Sequence, residues 1–225
     1  MSILVSFSGI DGSGKSTQIE KLRLHLESQN VRVRVLTFWD DVALFSAARS
    51  GFSRKVLQSD GQIGTPEKPA NRNDKNSQAW PLLAGRSVLH LFDVLRLRKI
   101  TRRARNSENA SVVIFDRYMY DQLAALPMQH WLARVFARMV LGVTPQPDIS
   151  YLLDAVPEEA RARKPEYPIE FMRQYRDSYL ALRELAALNL IAAGDPEDVH
   201  NAIVTRMMKL VDASPLTQVD SAVIA

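Results

Sequence analysis

Nine consecutive residues near the start of the chain carry the densest chemistry: Gly9-Ile10-Asp11-Gly12-Ser13-Gly14-Lys15-Ser16-Thr17. Gly9 and Gly14, followed by Lys15 and Ser16, complete the spacing G-x-x-x-x-G-K-[ST] of a phosphate-binding loop. Glycine lets backbone N–H groups turn inward around phosphate oxygens. A lysine at this place reaches the β- and γ-phosphates, and the serine hydroxyl takes Mg²⁺. The residues before the loop, Ile3 to Ser8, read as an apolar strand, and those after it, Gln18 to Asn30, as a helix. The helix N-terminus adds partial positive charge toward the loop. Gly9, Asp11, Gly12, Ser13, Gly14, Lys15, Ser16 and Thr17 are therefore the expected cradle of a nucleoside triphosphate, read as ATP with Mg²⁺.

A second group follows a run of four apolar residues, Val112-Val113-Ile114-Phe115, which ends on Asp116-Arg117-Tyr118. In a nucleotide-binding sheet the carboxylate at such a strand end lies near Mg²⁺. Ligands of open α/β sheets bind beyond the carboxyl ends of the strands, so Asp116 is expected to face Lys15. Ser16 and Asp116 are the expected metal ligands. Arg117 can hold phosphate oxygens with two parallel N–H groups. It also replaces the glutamate that activates water in many ATPases, and a guanidinium cannot act as a base. That favours transfer to an acceptor over hydrolysis. The Asn-Lys-x-Asp tetrad that reads guanine in many GTPases is absent.

The elements that must position these groups alternate along the chain between strand-like and helix-like segments, the pattern of a mainly parallel sheet covered on both faces. Strands are expected at 3–8, 31–38, 111–115, 149–153 and 188–192. Helices are expected after the loop, in a long segment with Leu82, Leu89, Phe92 and Leu95 on one face, at 127–141, from Pro157, along Phe171, Tyr175, Tyr179, Leu182 and Leu185, and at 197–211. The aromatic stripe of the Phe171 helix reads as core packing. Residues 58–79, rich in Gly, Pro and Asn, read as a mobile loop, and the tail 213–225 as frayed.

The 225 residues suit one α/β domain, here placed at 1–212. There is no cysteine, hence no disulfide framework and no thiolate metal site. No run approaches a membrane span, and the start reads as a core strand and not a leader, so a soluble cytoplasmic protein is expected. Net charge is +4, but Arg96, Arg98, Lys99, Arg102, Arg103 and Arg105 lie in one short stretch, and without these six the remainder is −2. No aromatics interleave with them, so nucleic-acid binding is not the expected role.

The motifs together resemble the thymidylate kinase family of P-loop nucleoside monophosphate kinases. Phe7 to Gln18 is similar to that family's opening, and Phe115-Asp116-Arg117-Tyr118 to its central motif. Pro147 to Asp154, with Pro157, Glu158 and Arg161, is similar to the strand entering its lid, and Ala192 to Val199 to its closing turn. The resemblance covers about residues 3 to 210. It implies an α/β P-loop NTPase fold, with a five-stranded parallel sheet flanked by helices on both faces and a short lid at 157–168. It implies Mg²⁺-dependent transfer of the ATP γ-phosphate to dTMP, usually by a homodimer. Asp11 matches the loop acid near the acceptor, Arg86 an arginine of the acceptor-binding helix, and Gly194 and Asp195 the segment near adenine. The loop contains no arginine, so the resemblance places the catalytic lid cation at Arg161, Arg163 or Lys164, beside Lys15, Arg117 and Asp11.

The acceptor side departs from the family. Phe38-Trp39-Asp40-Asp41 stands where Arg-Glu-Pro is usual, and Asp121 where a serine is usual. Trp39, Asp40, Arg86, Arg117, Tyr118 and Asp121 are the expected acceptor-binding residues. The departures leave open a P-loop kinase for another small acceptor (a nucleoside, a sugar or a lipid intermediate), or an ATP-binding regulatory or nucleic-acid-associated protein.

Overall fold

The computed structural model of the protein describes residues 2–42, 80–106 and 110–212. The segments expected to form the 58–79 loop and the 213–225 tail lie outside these residues. Five strands, β1 (Ile3–Ser8), β2 (Val33–Thr37), β3 (Val112–Asp116), β4 (Ile149–Leu153) and β5 (Asn189–Ile191), make one parallel sheet in the order β2-β3-β1-β4-β5. Strand ends differ from the sequence reading by only a residue or two. The helices are α1 (Lys15–Ser28), α2 (Trp80–Arg105), α3 (Met119–Leu123), α4 (Trp131–Val143), α5 (Pro157–Arg163), α6 (Ile169–Arg183) and α7 (Pro196–Asp212). A single π-helical turn, Phe38–Val42, follows β2.

Side-chain alternation splits the core in two, as a sheet buried on both faces requires. Ile3, Val5, Phe7, Val112, Ile114, Tyr151 and Leu153 point to one face, where Ile19, Leu22 and Leu26 of α1 and Ile203 and Met207 of α7 cover them. Leu4, Leu36, Val113, Phe115 and Leu152 point to the other, under α2, α3, α4 and α6. The register sets Phe7 of β1 opposite Asp116 of β3 and Tyr151 of β4. The loop after Ser8 and the arginine after Asp116 therefore leave the sheet side by side.

One expectation is corrected, and one helix buries an unexpected face. The helix expected from Pro127 starts at Trp131, because His130 N–H closes a turn on the Pro127 carbonyl (2.8 Å). More consequential is α2. Phe92 and Leu95 of the expected apolar face are 49% and 61% exposed, while His90, Asp93, Val94, Leu97, Thr101 and Ala104 are buried. The buried set keeps helical spacing, but three of its members are polar, so apolar periodicity alone selects the wrong face. The His90 ring packs against Phe136 of α4, and the Thr101 hydroxyl donates to the Leu97 carbonyl (2.9 Å).

The basic stretch closes the end of the sheet away from the loop. Arg105 holds Asp148 (3.1 Å), whose carboxylate also accepts the Leu4 N–H (2.7 Å) near the start of β1. Arg98 Nε donates to the Val143 carbonyl at the end of α4 (2.8 Å). A hollow of about 440 Å³ lies there, lined by Arg98, Arg102, Arg105 and residues 142–145. Arg98 thereby serves the C-terminus of α4, whose exposed carbonyls attract cations. Among the described residues no helix is long and apolar enough to cross a membrane.

Candidate active site

The strand-to-helix turn after β1 folds as the glycine spacing predicts. Gly9, Gly12 and Gly14 all have positive φ (145°, 83° and 87°). At Gly12 the requirement is double. Its φ is one that L side chains rarely adopt, and an added Cβ would stand 2.3 Å from the carbonyl oxygen of Ala160 in α5. The short helix expected in the lid thus rests directly on the loop, and only a residue without Cβ allows that approach.

Lys15 opens α1 and folds back over the loop, its Nζ donating to the Gly9 (2.9 Å) and Ile10 (2.8 Å) carbonyls. It is buried, and that burial, aided by the nearby Arg117 charge, lowers its pKa from 10.5 to about 8 against the opposing pull of Asp11, Asp121 and Asp116. Ser16 and Thr17 lie exposed in the first turn of α1.

Arg117 has the backbone φ of 70°, unusual for a residue with a side chain. Its N–H donates to the Phe7 carbonyl (3.0 Å), which carries the ladder one residue past β3. Its guanidinium pairs with Asp11 of the loop and lies 3.5 Å from Asp121. Burial alone would lower its pKa, but the two carboxylates outweigh that and hold it well above its ordinary value. Asp116 stands beside it with no hydrogen bond to another described side chain, and burial raises its pKa against the pull of Arg117 and Lys15. Loop, Lys15, Asp11, Asp116 and Arg117 are therefore one cluster, as the two motifs predict.

The far side of the loop is framed by β4, β5 and α5. Ser13, Asp154, Glu159, Arg163, Ala193, Gly194 and Val199 line a pocket of about 50 Å³ there. Gln18 Nε2 donates to the Pro196 carbonyl (2.8 Å), fixing the 194–196 turn beside α1. Gly194, expected near adenine, lines this pocket. Asp195 has a different task, for its carboxylate accepts the Glu197 N–H (2.9 Å) at the start of α7. Arg163 reaches the pocket wall and stays largely exposed, whereas Arg161 is partly buried. Lys164 pairs with Glu166 (3.1 Å). Helix α5 is tied to α6 by Glu158–Arg173 (2.5 Å), and the end of β4 by Asp154–Arg176, bidentate at 2.6 Å.

The expected acceptor residues are only partly brought together. Tyr118 is fully buried and its hydroxyl donates to the Pro145 carbonyl (2.7 Å), so it cannot meet a ligand. Asp121 is also buried, and its oxygens are taken up by protein donors. Both are corrected from ligand contacts to internal supports. Trp39 packs edge-on against Phe38 (ring centres 5.9 Å apart) and joins the core rim. The Asp41 carboxylate accepts the Thr37 N–H (2.8 Å), closing the turn after β2. The side chains of Asp40 and Arg86 lie outside the described residues.

The site includes groups that the sequence reading passed over: Ser8, Tyr175 and Tyr179 around Asp121, and Ala160 against the loop. The two tyrosines, four residues apart, share one face of α6, so spacing alone could have paired them. Nothing in the sequence shows that the face looks toward Asp121.

The metal ligands expected here fit a hard cation. Ser16 and Asp116 offer oxygen donors, and the Asp116 carboxylate is uncommitted and kept high in pKa by burial, the state that a neighbouring cation relieves. Among the described residues there is no cluster of three or more His, Cys, Asp or Glu able to hold a metal by themselves.

No protein-family model matches the sequence. Curated relatives do match over nearly the whole chain. A thymidylate kinase from Symbiobacterium thermophilum is 31% identical, over 95% of this chain and 86% of its own. One from Bifidobacterium longum is 31% identical, over 85% and 84%. Solved structures share the fold. Thymidylate kinase from Candida albicans aligns with a TM-score of 0.60 at 15% identity, over 94% of this chain and 92% of its own. That from Ehrlichia chaffeensis aligns with a TM-score of 0.58 at 19% identity, over 92% and 98%. With the parallel sheet, the glycine-lined loop and its lysine and arginine in place, the chain belongs to the thymidylate kinase family and is a phosphotransferase.

Proposed function

We propose that the protein transfers the γ-phosphoryl group of ATP to a nucleoside monophosphate, with dTMP, the acceptor implied by its relatives' names, as the first choice. The observation that carries this reading is the cluster in which Lys15, on the loop, and Arg117, on the adjacent strand end, converge around Asp11. Lys15 exchanges its two carbonyl partners for oxygens of the donor phosphates. Arg117 presents its remaining N–H groups to the acceptor phosphate while Asp11 holds one arm. Arg163, on the pocket wall, and Arg161 beside it supply cationic charge from the lid, which stabilises the transferring group as charge spreads over its oxygens. Ser16 and Asp116 would hold Mg²⁺, which when bound neutralises charge on the β- and γ-phosphates. Arg117 is no base, so water is not activated at the strand end. A coupled ADP-release assay across the nucleoside monophosphates tests the proposal. The expected result is release stimulated most by dTMP. Stimulation by a different acceptor would follow from the altered segment at 38–41, and stimulation by none would overturn the reading.

Lys15 gives the reading a pH signature. It sits below its ordinary value in the folded protein, so between about 8 and 10.5 the unfolded chain keeps a proton that the folded chain has lost. Stability of the nucleotide-free protein therefore rises with pH through that window. Donor binding has the opposite sign, because phosphate needs the ammonium form. ATP affinity should fall as pH passes 8, and binding at pH 8 should take up protons. Calorimetry in two buffers of different ionisation enthalpy reads the uptake directly, and a buffer-independent heat would contradict it.

The outward faces of α2 and α4 support a homodimer, the assembly that the family resemblance implies. Leu91, Phe92 and Leu95 on α2, and Trp131, Leu132, Val135, Met139 and Val143 on α4, are between 41% and 67% exposed. The two helices are neighbours, joined through His90 and Phe136. An apolar surface of this kind is the mark of an interface, and a two-fold axis would cover it with its own copy. Sedimentation should show a dimer at micromolar concentration and a monomer for Leu95→Glu with Trp131→Glu. A monomeric wild type would contradict the assignment.

A further inference from the structure

Asp121 occupies the position where the resemblance leads one to expect serine, and its surroundings are built for a carboxylate. Its Oδ2 accepts from the Ser8 hydroxyl (2.6 Å) and from the Tyr118 N–H (2.9 Å). Its Oδ1 accepts from the Tyr179 hydroxyl (2.7 Å) and faces Arg117 Nη1 at 3.5 Å. Its backbone carbonyl accepts the Tyr175 hydroxyl (2.9 Å). A serine hydroxyl, with two lone pairs and one position, cannot receive four donors.

The four donors come from the parts that must act together. Ser8 is the last residue of β1 before the loop, Tyr118 is the N-cap of α3, and Tyr179 lies on α6, the helix tied to the lid by Arg173 and Glu158. Between them sits Arg117, held at a left-handed backbone φ of 70° that a residue with a Cβ rarely adopts. The bond from Tyr118 N–H to Asp121 pins the residue that follows Arg117, and the Asp121 carboxylate faces its side chain. Asp11 grips the other arm of the guanidinium.

We propose that Asp121, itself fixed by Ser8 and Tyr179, is a positioning residue that sets the direction of the Arg117 guanidinium; this rests on the phosphoryl-transfer reading above. A guanidinium has five N–H donors. With one nitrogen toward Asp11 and another toward Asp121, the donors left over point in one fixed direction before an acceptor arrives. The carboxylate touches no substrate, and its effect passes through Arg117.

A double-mutant cycle separates this from a merely structural role. Asp121→Asn keeps the shape but removes the charge facing Arg117. It should lower kcat about a hundredfold, the scale of a misplaced catalytic group, and leave the KM for ATP within about twofold. Tyr179→Phe removes one of the four donors and should lower kcat about tenfold, the scale of one hydrogen bond to a charged group. On an Arg117→Ala background both changes should be nearly silent, because a residue acting through Arg117 has nothing left to position. If both losses persist in full on that background, the proposal is overturned. If Asp121→Asn does not fold, Tyr179→Phe carries the same cycle. A wild type inactive on every nucleoside monophosphate overturns the function and this proposal together, whereas an active wild type with additive losses overturns this proposal alone.

Discussion

Arg117→Ala is expected to lower turnover by about a thousandfold or more, the scale on which arginines act in phosphoryl transfer. Two things are lost at once. In the proposed reaction the acceptor phosphate loses its cation, and Asp11 and Asp121 are left as buried carboxylates without their shared partner. Removing one member of a buried ion pair typically costs about 3–5 kcal/mol, so the melting temperature should fall as well. Arg117→Lys separates the two losses. An ammonium keeps the charge near the carboxylates, but it is a point charge and cannot meet Asp11, Asp121 and a phosphate in fixed directions. It should restore most of the melting temperature and still leave kcat roughly a hundredfold low. Steady-state kinetics and calorimetry on both variants check this. Wild-type turnover in Arg117→Lys would show that charge alone suffices and that the orienting network is irrelevant to rate.

Lys15→Met should lower turnover at least as far, and it should do so without loss of stability. The side chain is buried in a loop that, without nucleotide, gives it only two carbonyls and the Ser13 hydroxyl as hydrogen-bond partners. Its pKa of about 8 says that burial works against the charge. Methionine has a similar length and no charge to desolvate, so the nucleotide-free protein should melt no lower than wild type. Stability and activity then move apart, as expected where a strained site serves function. Stabilisation by added ATP, which follows from mass action in the wild type, should largely vanish. A variant that loses melting temperature but keeps turnover would reverse both parts of this account.

The cluster of glycine loop and strand-end pair was legible in the sequence because its residues act through local rules. The loop from Gly9 to Thr17 needs only its own glycines and the helix behind it, and Asp116-Arg117 needs only a strand end. The parallel sheet brings the two together through register, Phe7 opposite Asp116, which alternating strand and helix signals already imply. What escaped was decided by tertiary contacts. Tyr118 and Asp121 follow the Asp-Arg pair so closely that they read as ligand contacts. Yet α3 begins at once and turns both inward, Tyr118 toward Pro145 and Asp121 toward Ser8 and Tyr179. The aromatic stripe of α6 was correctly read as buried, but burial hid the hydroxyls of Tyr175 and Tyr179, which are part of the polar network. On α2 apolar residues at helical spacing mark the outer face, whereas the buried face carries His90, Asp93 and Thr101, with the His90 ring against Phe136 and the Thr101 hydroxyl on the Leu97 carbonyl. Periodicity reports where apolar groups are, and a surface that meets another subunit carries the same signal as a core.

The central claim is that the phosphoryl group leaves ATP for a nucleotide and not for water. The most direct measurement follows labelled γ-phosphate from ATP in the presence of Mg²⁺ and dTMP, with products separated by chromatography. The account predicts label in dTDP, in proportion to ADP formed, and none with Lys15→Met. Label recovered only as inorganic phosphate, with dTMP unchanged, would contradict it.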